Sequence, residues 1–312
     1  MTEKPGYRIL VYMKIVVTGA TGLLGRAVYR RLKEKNSFIV VGTGFSRSKA
    51  PLVTLNLRNN DDLRAFLSKE QPDCIVHCAA ERRPDVSEAE PEASEQLNVE
   101  VTAHLAGHAQ ENGICMIYIS TDYVFDGTNP PYYPDSLPNP LNFYGRTKLA
   151  GEKAVQDVLS DFTILRVPVL YGGEQYLLES SISSVAASLN KNKGGTFDDT
   201  AVRYPTYTGD VARILEEIIL MREAGDSFKG IYHFSGKDAL TKYQMALMMA
   251  PYLNIDEVCI SPDRTPGSSA KRPENSHLDT EKLEKRVHFI PTSFSEAVKT
   301  GKLLWRNPSL KK

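Results

Sequence analysis

The stretch Ile15-Val16-Val17-Thr18-Gly19-Ala20-Thr21-Gly22-Leu23-Leu24-Gly25 constrains this chain more than any other. Apolar β-formers run straight into a glycine turn, and Arg26-Ala27-Val28 then opens a helical pattern with Leu24, Val28 and Leu32 on one face. The spacing predicts a strand, a turn and a helix that together seat a dinucleotide. Gly19 allows the tight turn, Gly22 lets backbone N–H groups approach a pyrophosphate, and Gly25 lets the helix lie close to the strand. The helix also offers its N-terminal dipole to the phosphates.

The alternation continues downstream. Phe38 to Gly42, Leu52 to Leu55, Cys74 to Cys78, Cys115 to Ile119 and Phe162 to Val167 read as further strands. Between them lie helical patterns at about 23–35, 59–68, 89–112 and 141–159. Nearly continuous apolar strands separated by helices predict a parallel sheet covered on both faces, a doubly wound α/β (Rossmann) fold. Pro130 to Pro134 and Pro138-Asn139-Pro140 predict a loop that no helix can cross. Beyond Tyr171-Gly172-Gly173 the rhythm fades into helices at about 176–191, 209–222 and 241–253 with a short strand from Gly230 to Phe234. The expected layout is an extension over 1–12, a dinucleotide-binding domain over 13–172, and a smaller C-terminal α+β lobe over 173–312 interleaved with the sheet edge.

Composition narrows the function classes. Thirty-eight basic and 38 acidic residues cancel, which leaves no electrostatic footprint for nucleic acid or a membrane surface. No apolar run reaches the roughly 18 residues that span a bilayer, and Thr2-Glu3-Lys4-Pro5 does not read as a secretory signal. Cys74 and Cys115 sit in strand-like runs as core thiols, and Cys74 with Cys78 lacks a second ligand pair for zinc. A cytoplasmic, reducing setting is expected.

The residues that carry chemistry cluster after strand ends. Tyr144 and Lys148 are one helical turn apart, so an ammonium can favour the phenolate and make the tyrosine an acid or base toward a carbonyl oxygen. Thr121 follows the fifth strand, where its hydroxyl could join Tyr144 on that oxygen or simply cap a turn. After the second strand no Asp or Glu stands ready for ribose hydroxyls; Ser46, Arg47 and Lys49 stand there instead, suited to a 2′-phosphate or to a solvated basic turn. NADP is therefore favoured over NAD. Asn56-Leu57 reads as the adenine end, and Cys78-Ala79-Ala80 as a small-residue turn beside the cofactor. Arg82 either contacts a phosphate or pairs with Glu81, Asp85 or Glu88.

Taken together, the glycine turn, Ser120 to Gly127, the Tyr144/Lys148 pair, Tyr204-Pro205-Thr206, Asp210-Val211-Ala212 and Lys271 to Asn275 resemble the extended short-chain dehydrogenase/reductase superfamily. Within it they resemble the dTDP-4-dehydrorhamnose reductase family. The runs Cys78 to Val86, Asp122 to Pro131 and Asn142 to Leu149 look like its branch of methionine adenosyltransferase regulatory β subunits. That resemblance implies an NADP-binding protein that associates with the methionine adenosyltransferase catalytic subunit and tunes S-adenosylmethionine synthesis. It also implies cofactor contacts at Thr21, Gly22, Leu23, Leu24, Phe45, Ser46, Arg47, Asn56, Leu57, Cys78, Arg82, Tyr144, Lys148 and Leu170. The sequence departs from the sugar reductases at Arg166 to Tyr171, which lacks their tryptophan, and from the β subunits in the tail around Leu304-Trp305-Arg306. The other reading is an NADPH-dependent reductase of a nucleotide keto-sugar that uses Thr121, Tyr144 and Lys148.

Overall fold

The computed structural model describes residues 12–265 and 270–303. Residues 1–11 of the expected extension and the tail around Trp305 fall outside them. In chain order the first half holds β1 (Met13–Thr18), α1 (Leu23–Lys33), β2 (Phe38–Gly44), β3 (Val53–Thr54), α2 (Asn60–Glu70) and β4 (Cys74–His77). It continues with α3 (Pro84–Ala89), α4 (Pro91–Glu95), α5 (Val101–Asn112), β5 (Cys115–Thr121), α6 (Phe143–Val158) and β6 (Phe162–Val167). The second half holds β7 (Leu170–Tyr171), α7 (Ser181–Asn192), β8 (Gly195–Asp198), β9 (Thr206–Tyr207), α8 (Thr208–Glu223) and β10 (Gly230–His233). It ends with α9 (Lys242–Leu253), β11 (Ile260–Asp263), α10 (Glu281–Glu284) and α11 (Phe294–Thr300).

Seven strands form one sheet in the order β10-β6-β5-β4-β1-β2-β3. Every neighbouring pair is parallel, with Val16 opposite Val41 on one side and Ile75 on the other. This is the doubly wound sheet that the sequence rhythm predicts. The strand order reverses between β1 and β4, which opens a crevice at the C-terminal ends of those strands. Successive residues of β1 serve opposite layers. Ile15 and Val17 pack with Leu24, Val28 and Leu32 of α1 and with Val211, Leu215 and Ile218 of α8. Val16 faces Leu63 and Leu67 of α2, Leu105 of α5 and Val155 of α6. These three β1 residues are fully buried, and such burial stabilises by about 1.5–3 kcal/mol per side chain. The chain's second half gives β10 to the sheet edge and α8 to one layer. It also gives Leu283 of α10 to that layer, while α7, β8, α9, β11 and α11 gather around a separate core of Tyr171, Leu189, Met249 and Phe294.

Three boundaries differ from the sequence expectation. The helix predicted over 89–112 is broken: Pro84 and Pro91 each start a short helix, and Glu90 leaves helical geometry at φ −128° and ψ 65°. A wide π-type turn over Gln96–Glu100 then leads into α5. Buried Asn98 sits in that turn, accepting from the Glu81 N–H at 2.9 Å and donating to the Glu81 carbonyl at 3.0 Å and to Thr147 Oγ1 at 3.0 Å. One side chain thus ties the loop after β4 to α6. The third strand shrinks to Val53–Thr54, both exposed, because it pairs on one side only. The helix expected from 176 starts at Ser181, where Ser180 and Ser183 form a capping box. Residues 173–180 are instead a strap across the mouth of the crevice.

Candidate functional site

A cleft of about 680 Å³ opens along the C-terminal ends of the strands. Its walls include Gly19, Thr21, Gly22, Leu23, Leu24, Gly25, Phe45, Ser46, Arg47, Asn56, Leu57, Cys78, Arg82 and Leu170, which the sequence singles out for the cofactor. Thr121, Tyr144 and Lys148 line it too, whereas Lys49 does not.

The glycine turn builds its floor. Gly19 has φ +66°, and a Cβ there would lie 2.8 Å from the Ala79 backbone, so neither the conformation nor the space admits a side chain. At Gly25 a Cβ would lie 2.2 Å from the Gly19 carbonyl oxygen, which is how closely α1 packs on the turn. The N–H of Gly22 closes the turn onto Gly19 O at 2.8 Å. The donors left for an anion are therefore those of the first helical residues, Leu23 and Leu24. No side chain caps this helix start, and its first turn holds no acidic residue. A phosphate there would be met by unspent N–H groups and a positive dipole end.

Three arginines surround that end of the cleft, and one residue, Glu179, organises them. Arg26 grips Glu179 through both nitrogens at 2.8 and 2.7 Å, while also donating to Thr21 O and Gly173 O. Arg82 donates to the Glu179 carbonyl oxygen. Arg47 lies 3.5 Å from the Glu179 carboxylate and 5.7 Å from the centre of the Tyr176 ring. The acids that Arg82 was expected to choose among are engaged elsewhere. Glu81 pairs with Arg83 at 2.7 Å, Asp85 with Arg272, and Glu88 accepts the Phe143 N–H. An uncapped helix start and a half-exposed Arg47 beyond β2 suit a dinucleotide bearing an extra phosphate.

The other end of the cleft has a different character. Asn142 caps α6 by accepting from Gly145 N at 2.9 Å, which fixes the helix start that carries Tyr144 and Lys148. Tyr144 sits edge-on to Tyr123 with ring centres 6.0 Å apart. Burial lifts its phenol above the ordinary range, and the nearby Thr121 hydroxyl only partly offsets this. The sequence expectation that Lys148 depresses this phenol is not met. Lys148 is almost fully buried, with its ammonium 3.9 Å from the centre of the Tyr118 ring. Burial pulls that lysine down to about 7, against the opposing fields of Glu152 and Cys78. The same burial pushes the Cys78 thiol up to about 12.

Four polar residues of this end are not among the site residues expected from the sequence. Asp122 is buried beside Thr121, whose hydroxyl donates to it at 3.1 Å, and Ser276 donates to its other oxygen. Burial pushes this carboxyl up to about 6. Arg203, Lys242 and Arg272 come from the chain's second half. Arg203 is buried, donates to the Val202 and Pro273 carbonyls at 2.9 and 2.8 Å, and faces the Tyr123 ring at 5.9 Å. Burial lowers Lys242, and the charges of Arg272 and Arg203 lower it further. Arg272 lies inside the Lys271-to-Asn275 run and Arg203 immediately precedes Tyr204, so family-like motifs contain the one and adjoin the other. Nothing in local sequence joins them to Tyr144.

The comparisons agree with this geometry. The family model described as the RmlD substrate binding domain matches residues 13–304. A methionine adenosyltransferase 2 subunit beta from Xenopus tropicalis is 45% identical over 283 residues, covering 90% of this chain and 83% of its own. That from Mus musculus is 43% identical over 294 residues, covering 94% and 87%. Among solved structures, the dTDP-4-dehydrorhamnose reductase of Bacillus anthracis in complex with NADP superposes with a TM-score of 0.80 at 26% identity. That match covers 93% of this chain and 98% of the reductase. The chain belongs to the dTDP-4-dehydrorhamnose reductase family, among its members similar to the methionine adenosyltransferase β subunit.

Proposed function

We propose that this protein is an NADP-binding regulatory subunit of β type, which associates with a methionine adenosyltransferase catalytic subunit and tunes S-adenosylmethionine synthesis. The similarity to β subunits over nine-tenths of the chain carries the reading. The cleft supports its cofactor part. Leu23 and Leu24 would hold the pyrophosphate, Ser46 and Arg47 the 2′-phosphate, Asn56 and Leu57 the adenine end, and Tyr144, Lys148 and Leu170 the nicotinamide end. A cytoplasmic setting belongs to the same proposal. Affinity purification of the tagged full chain from its own cells, with NADP present, tests it. Stoichiometric recovery of the catalytic subunit is expected; a clean protein without it would overturn the regulatory part.

The second reading is reduction of a keto-sugar nucleotide, favoured by the convergence of Thr121, Tyr144 and Lys148 in one cleft. Bound NADPH would supply hydride to a carbonyl carbon. Thr121 would hold the oxygen, and Tyr144 would give it a proton. The chain has no tryptophan between Arg166 and Tyr171, and Val169 and Leu170 line the cleft there instead. That absence weighs toward the regulatory reading.

A further inference from the structure

Arg47 is the residue assigned to the 2′-phosphate, and two of its side-chain partners, Tyr176 and Glu179, come from the strap over residues 173–180. Its Nη1 reaches the Tyr176 hydroxyl at 3.5 Å and the Glu179 carboxylate at 3.5 Å. The guanidinium also lies against the Tyr176 ring, 5.7 Å from its centre. These contacts use one nitrogen, so the remaining N–H donors of the fork are left to meet a phosphate. The strap itself is firmly held. Glu179 is buried and doubly bonded by Arg26, which is tied in turn to the glycine turn through Thr21 O. Ser180, at the strap's end, starts α7 with a capping box.

We propose that Tyr176 and Glu179 are specificity-determining residues: they hold Arg47 at the 2′-phosphate seat and so select NADP over NAD. The proposal rests on the cofactor reading above. A solvated arginine loses considerable rotamer freedom when it grips a ligand, and an arginine already stacked and tethered loses less. The carboxylate of Glu179 does not repel the phosphate on balance. Two guanidinium groups, from Arg26 and Arg47, meet this one carboxylate, and a third, from Arg82, sits on the Glu179 backbone carbonyl, which leaves the site positive. The selectivity of the cleft is thus shared between a turn after β2 and a strap more than a hundred residues later.

The test is an equilibrium titration of the full chain with NADPH and, separately, with NADH, followed by nicotinamide fluorescence. Tyr176 is half-exposed, so Tyr176→Ala keeps the fold. It should weaken NADPH about three- to tenfold and leave NADH within about twofold, in keeping with a cation–π and hydrogen-bond contribution. Tyr176→Phe keeps the ring and should retain most of the affinity. In Arg47→Ala the further change Tyr176→Ala should cost nothing more for NADPH. Equal losses for both cofactors, or additive losses in the double variant, would overturn the proposal. So would tighter NADPH binding by Glu179→Gln, because that carboxylate would then be a competitor. A wild-type chain that binds neither nucleotide would instead overturn the cofactor reading beneath it.

Discussion

The two ends of the cleft treat charge in opposite ways. At the glycine-turn end, cations outnumber the single carboxylate, the α1 start is uncapped, and Arg47 stays half-exposed. At the Tyr144 end, the polar groups, Asp122 and Arg203 buried among them, are spent on partners within the protein. Asp122 accepts from Ser276 and Thr121, Arg203 donates to two carbonyls, and Arg272 pairs with Asp85. The first end stands ready for an anionic ligand. The second keeps a phenol held well above neutrality and a lysine lowered to about 7.

The largest expected effect comes from breaking the first end outright. Gly25→Val would drive a side chain into the Gly19 carbonyl, from which even a Cβ would be only 2.2 Å away. NADPH binding should be lost, with stability lowered by about 1–3 kcal/mol in a denaturant titration. Near-normal affinity in a folded variant would dissolve the contrast between the ends.

Arg47→Ala sharpens the contrast more selectively. Losing a charge-assisted contact should weaken NADPH about 10- to 100-fold, while NADH changes little. An equal loss for both nucleotides would mean that Arg47 shapes the cleft and does not read the phosphate.

Lys148 probes the second end through pH. Its pKa is about 7 when folded and that of an ordinary lysine when unfolded, so between those values the unfolded chain binds more protons. Stability carried by this group is therefore lowest below pH 7 and recovers as pH rises above it. Lys148→Met, in which an apolar chain fills the site, should stabilise the protein at pH 6 by roughly 1–3 kcal/mol and should flatten the rise above pH 7. A variant less stable than wild type at pH 6, with the rise intact, would show that the ammonium is well compensated by its contact with Tyr118.

Tyr144→Phe should have the smallest effect on binding. NADPH affinity should stay within about twofold, partner association should be unchanged, and any carbonyl reduction should disappear. Loss of association would make the tyrosine a structural element of the interface.

These contrasts also explain what could be read from the sequence. The glycine-turn end is assembled from short segments that each follow a strand, so the strand rhythm and the residues after it were enough to locate Gly19 to Gly25, Arg47 and Asn56. The Tyr144 end needs Arg203, Lys242 and Arg272, which reach it only through folding of the second half. Local pattern also missed the strap. Leu177-Leu178 read as part of a helix, but the cap at Ser180 and the Arg26–Glu179 pair hold that stretch out of one. The tuning of Tyr144 was misjudged for a related reason. Spacing places Lys148 on the same helix face, but burial decides the state of both groups, and burial is a property of the folded interior.

The central claim is that the cleft serves regulation with NADP held in place. One measurement tests it most directly: the full chain is mixed with NADPH and a methionine adenosyltransferase catalytic subunit, and S-adenosylmethionine formation and nicotinamide absorbance are followed together. The expected result is a change in the rate or substrate dependence of synthesis while the nicotinamide signal stays flat. Unaltered synthesis would contradict it, as would steady NADPH consumption when a nucleotide keto-sugar is added.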